Sequence, residues 1–427
     1  MTVGTAVTTI GALAEIGIRL TDNPSFLRFL IARLAAGLAM QIQVVAVGWQ
    51  MYDLTGDPLY LGLVGLVQFA PSVVLLFVTG SVIDRFDRRL VIIVFRTLEA
   101  VASTGLAAGT LSGHLTPGWI FAAVFAIGCA RAFEQPAGQA LLPRLVAPQL
   151  LSRAIAASSS TMQLAMIAGP ALGGLIYLAG SGIVYACSAM LFLLGAVLML
   201  WVREPRSKAP LPPFSLTYLF AGLRFIRSNP VLLGAISLDM VAVLLGGATA
   251  LLPIYARDIL QTGPEGLGML RSAPAAGAIV TAIWLARRPL QSRVGMKMLI
   301  AVACFGGAML VFAVSTSLVL SVMALAVTGA SDMFSVVIRQ SLVQLETPDE
   351  MRGRVSAVNS VFIGASNQIG EFESGLTAAW LGAVGSVVLG GIGTILVVAI
   401  WASRFPALRD RDRLYPGARN ASQSTGD

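Results

Sequence analysis

The chain has 427 residues, of which 56% are apolar and only 12% charged, with a mean hydropathy of +0.81. Soluble domains carry about 25% charged residues, so this composition excludes a disordered chain or a nucleic-acid-binding one. Three cysteines in such a length exclude a disulfide scaffold, and what remains is a polytopic membrane protein.

A helix crossing the hydrocarbon core needs about 20 mostly apolar residues and must satisfy its own backbone. Residues 1–23 precede the first such run and read as a short cytoplasmic segment, because Glu15 and Arg19 interrupt the apolar stretch and no basic start marks a cleaved signal. Predicted spans follow at 26–52, 59–83, 90–111, 117–141, 153–179 and 182–202. The polar stretch 203–230 then carries Arg203, Arg206, Lys208, Pro210, Pro212 and Pro213. Its second part, about 214–228, sets Phe214, Leu219, Leu223 and Phe225 beside Arg224 and Arg227, the pattern of an amphipathic helix on a membrane face. Six more spans follow at 231–256, 264–286, 297–314, 317–342, 354–377 and 380–403, and 404–427 is a basic tail. The predicted fold is an all-α membrane protein of twelve transmembrane helices in two six-helix bundles, 24–202 and 231–403. The alternating pattern of a membrane β-barrel is absent from the sequence.

Loops on the side of the termini hold nearly all the Lys and Arg, among them Arg85, Arg88, Arg89, Arg144, Arg153, Arg287, Arg288, Arg293 and Arg352. The opposite loops hold essentially Arg257 alone, so the positive-inside rule places both termini in the cytoplasm. The net charge of +8 is therefore a topology signal and needs no nucleic acid to explain it. Cys129, Cys187 and Cys304 read as small packing residues, and His114 as a solvated loop residue.

The halves repeat. Asn23-Pro24 recurs as Asn229-Pro230, and the same offset of 206 carries Pro58 to Pro264 and Leu61-Gly62 to Leu267-Gly268. An offset of 201 later carries Gly128, Phe133 and Gln139 to Gly329, Phe334 and Gln340, and Arg153, Gly169 and Gly174 to Arg354, Gly370 and Gly375. Parallel repeats of this kind place a substrate site at their interface near the midplane. The offsets also set Arg33 against Asp239 and Arg131 against Asp332, which is open to two readings: complementary pairing across the cavity, or independent drift at two polar positions.

Ionisable residues in mid-span cost about 2.5–3.5 kcal/mol each on insertion scales and are functional candidates for that reason. Arg33, Arg131, Glu134, Asp239, Asp332 and Glu371 are the candidates for proton coupling or for the cavity wall, and Asn367 joins Glu371 on a polar face of span eleven. Arg96 and Glu99, three apart, are expected to pair; Arg131 and Glu134 have the same spacing deeper in span four. Arg339 is near enough to the end of span ten to snorkel, and Asp239 has no evident local partner. A carboxylate that loses an arginine partner as the bundles rock takes up a proton, which is a physical route to coupling. No G-x-x-x-x-G-K-[ST], H-E-x-x-H or G-x-S-x-G motif is present, so neither ATP hydrolysis nor intramembrane catalysis is expected, and no cofactor beyond the coupling proton.

The loop between spans two and three, Gly80-Ser-Val-Ile-Asp84-Arg85-Phe-Asp87-Arg88-Arg89, resembles the G-x-x-x-D-R-x-G-R-[RK] signature of the major facilitator superfamily, with Asp87 in place of its glycine. The second half keeps only Arg293-Val-Gly295-Met-Lys297, with Ser292 where the acid would be. Span five contains Gly169-Pro170-Ala171-Leu172-Gly173-Gly174, similar to the G-P-x-x-G-G element of the antiporter branches, a bendable contact face. Val47-Gly48-Trp49-Gln50, Gly222-Leu223-Arg224-Phe225-Ile226, Thr347 to Arg354 and Ile369 to Gly375 resemble the enterobactin-exporter branch. This resemblance spans about 24–404 and implies a monomeric, inner-membrane, proton-coupled exporter of small amphipathic molecules such as siderophores or drugs. The Gly80–Arg89 loop would latch its cytoplasmic gate. A lipid or lysolipid translocator of the same fold, a channel and a non-transporting receptor stay open as alternatives.

Overall fold

Asparagine followed by proline starts both halves for one local reason. Asn23 Oδ1 accepts from the amides of Ser25 and Phe26, and Asn229 Oδ1 from those of Val231 and Leu232. Pro24 and Pro230 fill the first helical position, where no N–H is needed. Asp57 and Thr116 cap the helices that begin at Pro58 and Pro117 in the same way.

The computed structural model describes residues 20–203, 216–288, 290 and 292–413. The predicted segment 1–19, the proline-rich 204–215 with Arg206 and Lys208, and the tail 414–427 lie outside the described residues, as does the side chain of Asp84.

The described residues form helices and no strand. Spans one to six are Pro24–Thr55, Pro58–Val74 with its continuation Leu76–Arg85, Arg88–Leu111, Pro117–Leu145, Leu151–Tyr177 and Ser181–Leu200. After the short helix Leu216–Ser228 come span seven from Pro230 to Ile259, then Pro264–Arg287, Val294–Val314, Leu318–Glu346 and the 56 residues Asp349–Arg404. That last stretch is two antiparallel helices. In one straight helix Ser374 and Ser386 would stand about 18 Å apart, yet Ser386 Oγ donates to the Ser374 carbonyl at 3.1 Å, because Gly382 turns the chain at φ 74°. Nine helices among the described residues are long and apolar enough to cross a membrane, and the arrangement is consistent with the twelve predicted spans.

Two spans expected to be continuous are broken. Span two is interrupted at Leu75, where Thr79 Oγ1 as well as the Thr79 amide donates to the Leu75 carbonyl, a back-bond that bends helices. Span seven stops its α-helix at Leu245, passes Gly246-Gly247 and resumes as short turns, ending in the π-helical Tyr255–Ile259. A Cβ at Gly247 would lie 2.1 Å from the Gly370 carbonyl oxygen, so span eleven occupies the space a regular side chain would need.

Hydrogen bonds tie Asn23 to Leu145 and Arg89 to Val202, and Gly295 packs on Leu408, which together define a terminal face carrying both ends of the described chain. On that face each half has its own apolar core, one built around Phe26, Ile92 and Leu141, the other around Ile236, Met298 and Leu342. At the far face one core, including Met51, Tyr185, Leu252 and Phe312, runs through both halves. The halves touch there at two glycine crossings. A Cβ on Gly375 would sit 2.7 Å from Gly62 Cα, and one on Gly174 would sit 3.2 Å from Gly268 Cα. The repeat offsets turn Gly62 into Gly268 and Gly174 into Gly375, so the two crossings are one contact used twice about the pseudo-twofold axis. Beside them Asp53 pairs with Arg257 at 2.8 Å, the Tyr52 hydroxyl donates to Asp258, and the Arg257 guanidinium lies 5.8 Å from the centroid of the Tyr52 ring. Arg257, the lone base predicted for the far loops, is thus one half of a seal between spans one and seven.

A partly exposed ion pair contributes about 1 kcal/mol or less, which still shifts a two-state equilibrium about fivefold. In a variant free of native cysteines, Val47→Cys is expected to react several-fold faster with an impermeant maleimide supplied at the far face once Arg257→Ala is added. An unchanged rate would show that the pair does not hold that face shut.

Candidate functional site

A cavity of about 960 Å³ lies between the halves. Helical spacing explains its polar wall. Arg131, Gln135 and Gln139 follow at i, i+4 and i+8 on span four, Gln68 and Ser72 at i, i+4 on span two, and Ser360, Gly364, Gln368 and Glu371 along one face of span eleven. Gln41 and Gln43 of span one and Asn367 add further amides, while Val44, Val47, Val64, Phe69, Ile127 and Met166 supply apolar surface. The cavity lies beneath the far-face seal and extends along Thr79, Gly80, Ile83 and Gln139 towards the terminal face.

Of the candidate residues, Arg131, Asn367 and Glu371 line this cavity. Glu371 presses against Gly65 of span two and lies opposite Arg271 of span eight, whose guanidinium reaches the Thr249 carbonyl at 3.5 Å. Arg33, Glu134, Asp239 and Asp332 are not in its wall; they belong to two charge clusters, one in each half.

In the first half Arg96 bonds Glu134 Oε1 through Nε at 2.8 Å and Nη2 at 2.7 Å, and its Nη1 donates to the carbonyls of Ala32 and Gly195. The approach depends on Gly195, where a Cβ would stand 3.0 Å from Nη1. Glu99, 1% exposed, lies close to Glu134, Arg96 and Arg131 instead of pairing with Arg96 alone. Arg33 faces Glu134 and Arg96 from span one. Two expectations are thereby corrected: Glu134 is bound across helices by Arg96, not along its own helix by Arg131, and Arg96 reaches past Glu99. A residue on a neighbouring helix gives the guanidinium a two-nitrogen grip that the i, i+3 spacing does not.

In the second half Asp239 has a partner after all. Arg339 Nη2 lies 3.2 Å from Asp239 Oδ2, Arg339 Nη1 donates to Asn359 Oδ1 at 2.9 Å, and Ser335 Oγ donates to Asp239 Oδ1 at 3.1 Å. Arg339 is 2% exposed, so it turns inward to that acid and does not snorkel. Asp332 adds a second carboxyl close to Asp239 and Arg339. Pairing of Arg33 with Asp239 across the cavity is not observed, because Asp239 is taken by Arg339 of its own half.

The loop motif and the glycine motif also have definite places. Asp87, where the superfamily has glycine, is extended (φ −61°, ψ 119°) and caps span three: its Oδ1 accepts from the Arg89 amide at 2.8 Å and its Oδ2 pairs with Arg89 at 2.9 Å. The turn therefore needs no glycine, and the hydrogen-bonded Arg89 guanidinium holds the Asp87 carboxyl below the ordinary carboxylate range. Arg88 is buried, Arg85 exposed, and Gly80 reaches the cavity. In the second half, where Ser292 stands in place of the acid, Asp412 Oδ1 accepts from the Arg293 amide at 3.0 Å. In span five, Gly169 and Gly173 let span one approach at Gln41 and Ile42, and Pro170 and Gly174 meet Gly268 of the other half.

Breaking a buried ion pair costs about 3–5 kcal/mol because it strands a charge, whereas removing both partners is far milder. Arg339→Met is therefore expected to lower the thermal midpoint of the purified protein sharply and Asp239→Asn added to it to restore most of the loss. Additive losses would show that the two side chains do not stabilise one another.

The sequence profile of the major facilitator family described as transmembrane secretion effector matches residues 21–421. At 26% identity over 392 residues, 90% of this chain and 89% of the relative, the chain is similar to the enterobactin exporter EntS of Escherichia coli O139:H28, and with the same figures to that of Shigella boydii serotype 18. In fold it is similar to a bacterial homologue of the human lysosomal transporter Spinster in an inward-facing, occupied conformation, with a TM-score of 0.72 at 12% identity over 92% of this chain and 99% of that one. It is similar also to a bacterial homologue of the iron transporter ferroportin in an inward-facing state, with a TM-score of 0.67 at 16% identity over 89% and 99% of the two chains. The expected fold is the observed one, and with the profile match over nearly its whole length the chain belongs to the transmembrane secretion effector family of the major facilitator superfamily, a family of multi-pass membrane transporters.

Proposed function

We propose that this transporter is a proton-coupled secondary exporter of a small amphipathic molecule, working by alternating access as a monomer in the inner membrane, with both termini in the cytoplasm. The observation that carries the reading is the cavity between two halves that are fused at one face and have separate cores at the other, with a buried arginine–carboxylate cluster in each half. The excess of Lys and Arg at the terminal face supports the orientation, which makes the cavity open to the cytoplasm. The Glu99–Glu134 contact is the proton-holding element in the first half, and Asp239 with Asp332 its counterpart in the second. Kinship with the enterobactin exporter supports a siderophore-like cargo. One proton moving down 100 mV supplies about 2.3 kcal/mol, roughly a fifty-fold cargo gradient at one proton per cargo.

In proteoliposomes the wild type is expected to show saturable counterflow of enterobactin and accumulation driven by an imposed proton gradient. Glu134→Gln and Asp239→Asn are each expected to reduce the proton-driven component about tenfold or more while counterflow persists and the protein elutes as a folded species. Wild-type proton coupling in both variants would sink the assignment.

A further inference from the structure

The charges on the cavity wall do not balance. Among the described lining residues the cations are Arg131 and Arg271 and the acid is Glu371. Arg271 and Glu371 face one another, which leaves Arg131 over. The acid one turn along the helix from Arg131, Glu134, is held by Arg96, and Arg131, although Glu99 lies within its electrostatic reach, makes no hydrogen bond or ion pair among the described residues. A guanidinium is a planar fork of donors suited to carboxylate, sulfonate, phosphate or phenolate oxygens, and it stays charged at any physiological pH. Behind it Arg33 and Arg96 stand against Glu99 and Glu134, so the cluster at its back does not reverse the positive charge that Arg131 brings to the wall. On the opposite side Asp239 and Asp332 outnumber Arg339.

The neighbours of Arg131 match an oxygen-rich molecule. Gln135 and Gln139 continue its stripe at intervals of about 6 Å along the helix axis, and both are exposed to the cavity. Amides bind hydroxyl, carbonyl and amide groups without adding charge, and Phe69 and Ile127 provide apolar surface beside them. A lipophilic cation would meet Arg131 and, among the described lining residues, a single acid that already faces Arg271.

We infer that the cargo is an oxygen-rich amphipath bearing a negative charge, that Arg131 binds that charge with Gln135 and Gln139 aligning the adjoining oxygens, and that lipophilic cations are rejected. This rests on the export reading above and narrows its cargo from drugs in general to anions. An anion leaving a negative interior also gains roughly a fifty-fold concentration ratio per unit charge at 100 mV.

The test uses the full chain in nanodiscs and three fluorescent probes that share one ring system: dansyl sulfonate (anionic), dansylamide (neutral) and dansylcadaverine (cationic). The wild type is expected to bind the anion at least about tenfold more tightly than the cation, the discrimination one charge-assisted contact provides. Arg131→Gln should abolish that preference and Arg131→Lys should keep most of it. Gln135→Glu, which leaves Arg131 in place but sets an acid one turn away, should abolish it independently. Equal binding of the three probes, preference for the cation, or an anion preference that survives both Arg131→Gln and Gln135→Glu overturns the inference. Absence of both counterflow and proton-driven accumulation in proteoliposomes, with the charge preference intact, would count against the export reading alone.

Discussion

Where Gly62 meets Gly375 and Gly174 meets Gly268, the backbones of the two halves touch with no side chain between them. The rest of the architecture depends on that closeness. It brings the far ends of spans one and seven together so that Tyr52, Asp53, Arg257 and Asp258 can bridge them, and it lets one apolar core run through both halves at that face. Two rigid bundles pinned at one face must diverge at the other, so the cavity beneath the seal is the space that pinning leaves. The contacts that would have to part for the opposite arrangement are built on small residues and repeated by symmetry, which suits an interface that can open.

Buried charge imposes the second constraint. An unpaired ion in a low-dielectric bundle is costly, so each half resolves its own acids with its own arginine, Arg96 for Glu134 and Arg339 for Asp239. Both pairs lie behind the cavity wall. A cluster confined to one half can keep its geometry while the halves move, and can answer to the cavity through the residues standing in front of it. Arg131 occupies that position in the first half, on the same helix as Glu134 but turned to the lumen.

The sequence was most informative where one residue's chemistry acts locally. The caps at Asn23 and Asn229, the prolines after them and the length of each apolar run are properties of a few consecutive residues, and the helices begin where those residues say. The interruptions at Leu75 and Gly246-Gly247 were less legible because a neighbouring strand of backbone or a competing hydroxyl causes them. The charged residues could be named as exceptional from their depth, but their partners could not. Spacing along one helix pointed to Arg131 with Glu134, whereas the grip Arg96 has on Glu134 comes from a different helix and from the absence of a side chain at Gly195.

By itself the sequence determined the membrane habit, the helical repeat and the side on which basic residues concentrate, since all of these follow from composition and short-range pattern. The offsets of 206 and 201 even marked the four glycines of the crossings. That Gly62 meets Gly375 and not its own repeat partner, that Asp239 finds Arg339 and not Arg33, and that a row of amides two turns long faces a lumen beside an unclaimed arginine were decided only in three dimensions. Those are relations between helices. A pseudo-twofold axis turns each contact between the halves into a second contact between the repeat mates of its two partners, and a linear pattern carries no record of where that axis passes.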